Sequence, residues 1–286
     1  MFKPLFCADV TEDEENEALW PDEFCIKEVP DSERAALDRA TDDAVAEEEK
    51  AALPRFLSIL KWGFCAIGLV LVAGILKSDV PLRDAYGAAP YLFWIAGVSF
   101  VLFGVLEICS TLKGKEVRAS SAYTHSQERV ELETKRIFDR LGVPADAMPL
   151  DLLLLDYVCR EEEPSWDIKP EKDDLVINGE MKVYVQDGCL CLADTEGVYA
   201  FPLAECRAIR TVEHKTKLMF WHRPEPINAP AYKEYRLKKD DMDNVTVRSY
   251  HVLILEHGGD EYGIYFAPYD LPTVQRLTGL VAEANN

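Results

Sequence analysis

The chain has 286 residues, with 31 Lys and Arg against 51 Asp and Glu, and a formal net charge of −20. That balance argues against nucleic-acid binding, because phosphate recognition needs clustered cations. Residues 1–50 alone hold 17 acidic and 5 basic side chains, a local charge of −12 that anionic lipid headgroups would repel.

Residues 1–54 read as an acidic N-terminal region, disordered and then helical. Residues 1–30 mix acidic clusters with isolated aromatics (Phe2, Phe6, Trp20, Phe24), a composition that buries too little to order by itself. A short docking motif around Leu19–Phe24 is the alternative. Asp31–Ala52, rich in Ala, Glu and Arg, predicts a helix with Asp31 or Ser32 as N-cap and Pro54 as its stop. No basic segment followed by an apolar one opens the chain, so the first hydrophobic helix is expected to serve as the insertion signal.

Residues 55–112 predict a transmembrane helical hairpin. Phe56–Leu76 (56–76) and Pro90–Leu112 (90–112) are apolar over about 20 residues each, the length that crosses a bilayer. Arg39, Lys50, Arg55 and Lys61 flank or open the first span, and Lys113, Lys115, Arg118 and Arg129 follow the second. The loop between them has only Lys77 and Arg83, which predicts a multi-pass cell-membrane protein with both termini cytoplasmic. Pro81, Asp84, Gly87 and Pro90 fit a compact external turn. Lys61 and Glu107 sit at corresponding depths, so an intramembrane ion pair is one reading and separate snorkelling to the interface is the other. Ala66 with Ala73, and Gly97 with Gly104, recur at heptad spacing and predict close helix approach. Trp62, Tyr91, Phe93 and Trp94 mark the span ends as an aromatic belt.

Residues 113–149 read as a helical connector. Across Lys115–Leu141, Val130, Thr134, Ile137, Phe138 and Leu141 fall on one face, and Gly142-Val143-Pro144 is a stop signal. That stripe would pack on the chain's own β domain or on a second copy.

Residues 150–286 change to a period of two. Strands are expected near Leu150–Val158, Lys182–Gln186, Cys189–Ala193, Val198–Phe201, Cys206–Val212, Lys215–Trp221, Val247–Glu256 and Tyr262–Phe266. Asp187-Gly188 and Gly258-Gly259 are hairpin signals. Asp270–Ala284 predicts a terminal helix, with Asp270 as N-cap and Leu271, Val274, Leu277, Leu280 and Val281 along one face. The fold class is therefore α+β: a membrane hairpin plus an antiparallel β-barrel-like domain capped by a C-terminal helix.

The stretch Cys189-Leu-Cys-Leu-Ala-Asp-Thr-Glu-Gly-Val-Tyr-Ala-Phe-Pro-Leu, with Glu261-Tyr-Gly-Ile-Tyr-Phe, is similar to segments of uncharacterised bacterial two-span membrane proteins. The order of hairpin, β domain and capping helix over residues 55–284 also resembles those proteins, which carry a pleckstrin-homology-like cytoplasmic domain. The resemblance implies a bacterial inner-membrane protein and carries over no catalytic residue.

Motifs for chemistry are sparse. The loop matching a phosphoinositide site is Gln186-Asp187-Gly188 with only Lys182 nearby, which argues against phosphoinositide binding. The long Arg223–Asn244 insertion carries Arg223, Tyr232, Lys233, Arg236, Lys238 and Lys239, a candidate partner-contact loop, although Asp240, Asp241 and Asp243 follow at once. Cys189, Cys191 and Cys206 with His214 would make a zinc site in principle, but Cys-x-Cys on a strand more often marks core. The eight cysteines show no disulfide framework and suit a reducing compartment. No nucleophile elbow, His-Glu-x-x-His, Walker loop, dinucleotide fingerprint or calcium loop occurs, so no cofactor, metal or catalytic residue is assigned. The function expected is a membrane-tethered interaction or regulatory module, with a protein partner or a homo-oligomer. The alternatives are a membrane-bound enzyme with a divergent site and an accessory transporter subunit.

Overall fold

The computed structural model describes residues 2–9, 17–19, 21–77, 82–159, 164–166, 175–240 and 242–283. Two compact units result: Ser32–Lys135 is one, and Met1–Asp31 together with Arg136–Asn286 is the other. The units cut across the expected boundaries, because the N-terminal residues belong with the β domain.

The helical unit is built from α1 (Asp31–Glu49), α2 (Arg55–Lys77), α3 (Pro90–Arg118) and the first part of α4 (Ser121–Leu141). The connection between α2 and α3 contains a short helix, Leu82–Ala88. By length and composition α2 and α3 could each cross a membrane, and only 6% and 11% of their apolar windows are buried. They pack antiparallel with a seven-residue rhythm. Lys61 Nζ lies 2.8 Å from Glu107 Oε2. Seven residues onward in α2 and seven back in α3, Gly68 meets Phe100, whose ring would lie 2.9 Å from a Cβ at that glycine. The expected small-residue contacts are displaced from this seam. A Cβ at Gly97 or Gly104 would meet nothing within 4 Å, and Ala66 and Ala73 are exposed. The reason is steric: Phe100 needs a facing position without a side chain, and only Gly68 offers one in this register.

Of α1, the buried positions are Ala40 and Ala44, and the pairs Asp43–Arg129 (2.7 Å) and Glu48–Arg118 (3.5 Å) are exposed. Such surface pairs contribute at most about 1 kcal/mol each. α3 runs six residues beyond its expected end. Ser120 caps α4 by accepting the Tyr123 N–H at 3.2 Å, and Gly142 at φ 79° ends it with the Val143 N–H donating to the Phe138 carbonyl at 3.0 Å.

The sheet unit contains β1 (Lys3–Pro4), β2 (Cys7–Asp9), β3 (Cys25–Glu28), β4 (Met148–Cys159), β5 (Leu175–Gln186), β6 (Cys189–Ala193) and β7 (Gly197–Pro202). It continues with β8 (Cys206–Val212), β9 (Thr216–Leu218), β10 (Val245–Val247), β11 (Tyr250–His257), β12 (Asp260–Phe266) and β13 (Ala282–Glu283), with α5 (Leu271–Thr278) between the last two. β4, β5, β6 and β7 form an antiparallel meander, β8, β11 and β12 a second antiparallel set, and β12 joins β4 at Phe266↔Leu152. The Asp187-Gly188 turn has positive φ at both residues, 50° and 76°, as a type I′ hairpin requires.

Three expectations fail here. The sheet is not a closed barrel, and it is mixed rather than antiparallel: β1∥β12, β2∥β4, β8∥β13 and β5∥β9 are parallel. Further short strands extend it in place of closure, β3 pairing with β7 and β13 with β8. The N-terminal region, expected to be disordered, supplies β1, β2 and β3 and buries Leu5, Phe6, Cys7, Phe24 and Val29. The terminal helix stops at Thr278, because Gly279 at φ 73° turns the chain so that Ala282 pairs with Ile209.

The sheet is buried on both faces. Along β4, Leu150, Leu152 and Leu154 join one core with Phe6, Phe24, Phe201 and Val274 of α5. Leu153 and Leu155 join a second core with Leu218, Val247, Tyr250, Val252 and Tyr265. A continuous apolar run is what a strand covered on both sides requires.

Candidate functional site

Asp151 interrupts that run, and its side chain is fully buried. An isolated carboxylate there would be strongly unfavourable, so it needs partners. Tyr269 Oη donates to Asp151 Oδ2 at 2.5 Å, while Arg223 Nε lies 3.4 Å from the same oxygen and His222 Nδ1 3.5 Å from Oδ1. Asp270, also buried, accepts the Asp151 backbone N–H at 2.8 Å and the Arg223 Nη2 at 2.5 Å on both oxygens. Asp270 thus faces the core instead of capping α5 with its side chain.

One guanidinium between two carboxylates leaves a negative charge uncompensated. Burial pushes the Asp270 carboxyl up to about 8, with the Asp151 carboxylate acting in the same direction and Arg223 opposing. Burial also drives the Tyr269 phenol far up, and the adjacent Asp151 carboxylate adds to it. Burial works to lower the Arg223 guanidinium, but Asp270 and Asp151 outweigh it and hold it above its ordinary value.

This buried group anchors the insertion that follows β9. Asn178 of β5 clamps its start by pairing with both backbone groups of Phe220: Oδ1 accepts the N–H at 3.0 Å and Nδ2 donates to the carbonyl at 2.9 Å. The insertion then covers the second core. Trp221, Ile227, Tyr232, Tyr235 and Leu237 pack against it, with the Tyr232 ring 5.0 Å from Trp221 and 5.7 Å from Tyr269. Tyr232 Oη donates to Glu225 Oε2 at 3.1 Å, and burial together with that carboxylate raises the phenol to about 12.

The expected partner-contact loop is therefore split. Arg223 is a buried anchor and not a contact residue, a correction forced by the two carboxylates that require it. Tyr232 is half-buried, while Lys233, Arg236, Lys238 and Lys239 are exposed. Lys239 pairs with Asp243 at 2.8 Å. A groove of ≈ 440 Å³ runs between Ile227, Pro230, Tyr232 and Leu237, with Lys233 and Arg236 on its rim. Sequence reasoning missed Asp151, Asn178, Tyr269 and Asp270. Asp151 carried a usable signal, an acid inside a buried leucine run, which demands a buried cation elsewhere in the chain.

The Lys61–Glu107 contact lies in the other unit; there the lysine side chain is 13% exposed and the glutamate 52%. Among the described residues no group of three His, Cys, Asp or Glu is placed to hold a metal, and Cys7, Cys25, Cys65, Cys109, Cys189, Cys191 and Cys206 are free thiols. Cys191 and Cys206 are buried, and burial pushes both thiols up, away from the reactive range. Compared with known proteins, the chain matches no family model, no curated sequence and no solved structure.

Proposed function

We propose that the chain is a membrane-tethered interaction module. In this reading α2 and α3 span a bacterial cell membrane, and the sheet unit, pleckstrin-homology-like in organisation, binds a protein partner or another copy at the cytoplasmic face without catalysing a reaction. The observation that carries it is the outward apolar surface of α2 and α3: Phe56, Ile59, Val70, Leu76, Trp94, Val101 and Ile108 are all more than half exposed. A continuous apolar surface of that extent is not tolerated in water, and lipid is the simplest cover.

Sidedness has its own support. β1 and β2 precede the two helices, whereas their partners β12 and β4 follow them. Strands cannot pair through a bilayer, so both flanks share one side and the chain crosses an even number of times. The basic residues beside the spans favour the cytoplasm. Seven antiparallel strands, β4 to β8 with β11 and β12, followed by α5, support the pleckstrin-homology-like reading.

Alkaline carbonate extraction of native membranes tests the tether, and the chain should stay in the pellet. A variant retaining only Cys189, which is partly exposed, should react with an impermeant maleimide in inverted vesicles and not in intact cells. Release by carbonate, or labelling of intact cells, overturns the reading.

A further inference from the structure

We propose that the groove beside Ile227–Leu237 is a docking site for an acidic peptide segment bearing a bulky apolar side chain. The inference rests on reading the sheet unit as an interaction module and names the partner's chemistry. The first argument is charge. Of the cations in and beside this loop, Lys239 pairs with Asp243 at 2.8 Å and Lys217 with Asp240 at 3.6 Å. Lys233 and Arg236 have no such partner among the described residues, and they lie together on one rim. Among the described residues no acid lines the groove they border.

The second argument is shape. A recess of ≈ 440 Å³ with Ile227, Pro230 and Leu237 on its walls is in the range of about 300–1,000 Å³ that accepts small ligands or side chains. Its frame is preformed. Tyr232 is held by Trp221, Tyr269 and Glu225, and the segment beneath is tied to Asp151 and Asp270 through Arg223. Little ordering is left for binding to oppose. An apolar side chain would enter the recess while flanking carboxylates reach Lys233 and Arg236.

A bilayer surface fits less well. It would meet a protruding cationic face, whereas these two cations border a recess that takes up an apolar side chain.

The test uses the detergent-solubilised full chain and a fluorescein-labelled peptide, Asp-Glu-Leu-Phe-Glu-Asp, read by anisotropy. Saturable binding with a dissociation constant below about 1 mM is expected. Binding should weaken about tenfold or more in K233E/R236E and stay within about twofold of wild type in the control K135E/R248E, which changes net charge equally at exposed positions. Replacing Leu and Phe of the peptide by Ser should abolish binding. Circular dichroism checks that the variants fold, and K233Q/R236Q carries the test if charge reversal unfolds the chain. Any of four results overturns the proposal: no saturation, equal weakening in both double variants, indifference to the Ser peptide, or stronger Lys233- and Arg236-dependent binding to phosphatidylglycerol vesicles than to the peptide. Peptide binding in detergent does not depend on how the helices were inserted, so its failure is distinguishable from failure of the membrane tether.

Discussion

Leu152–Leu155 in β4 and Leu69–Val72 in α2 are comparably apolar, yet the first stretch is almost wholly buried and the second largely exposed. A strand surrounded by its own chain on two faces completes its burial internally. A helix pair of this length buries only a narrow seam at Gly68, Ala96 and Ser99 and leaves the rest for something outside the chain. Apolar content alone does not separate the two cases; the length of the run and its cover do.

The largest expected effect comes from removing the cation beneath the sheet. Arg223→Met leaves Asp151 and Asp270 facing each other, and urea unfolding in detergent should show a loss of about 3–5 kcal/mol. Leu153→Ala, at a fully buried site, should cost about 2–5 kcal/mol. Val70→Ala, on the exposed face of α2, should change the same measurement by less than about 0.5 kcal/mol. Equal effects for these two would break the comparison between the units.

Protonation gives the next test. Burial lowers His251 to about 4, so the unfolded chain binds a proton first as pH falls from about 6.5 to 4 and stability drops across that window. Asp270, raised to about 8, acts in the opposite sense, losing stability as pH rises from about 4 to 8. His251→Phe removes only the first slope. On going from pH 7 to pH 5 its stability relative to wild type should rise by about 2 kcal/mol. At the helix seam, Gly68→Ala pushes on Phe100 and should cost about 1 kcal/mol. Gly104→Ala, which meets open space, should be neutral; crosslinking between α2 and α3 reads both.

Local signals were legible in the sequence. Phe56–Leu76 and Pro90–Leu112 became α2 and α3, and Asp187-Gly188 and Gly258-Gly259 became hairpin turns at positive φ. Non-local pairing was not. Cys7 pairs with Leu155 and Cys25 with Tyr199, and the acids between these short apolar segments hid them. At the site, Arg223 resembled its neighbouring lysines in composition and differed only in facing two carboxylates brought from β4 and the start of α5.

The parallel pairing of Lys3–Pro4 with Tyr262-Gly263 has a consequence during synthesis. These residues leave the ribosome well before β12, whose emergence completes their seat roughly 15–50 s later at ordinary elongation rates. Until then Leu5, Phe6 and Cys7 have only part of their cover, from Leu155 of β4 and Tyr199 and Phe201 of β7. The dense carboxylates next to them, Asp9 through Glu17 in the sequence, act as gatekeepers that discourage aggregation until the last strands arrive.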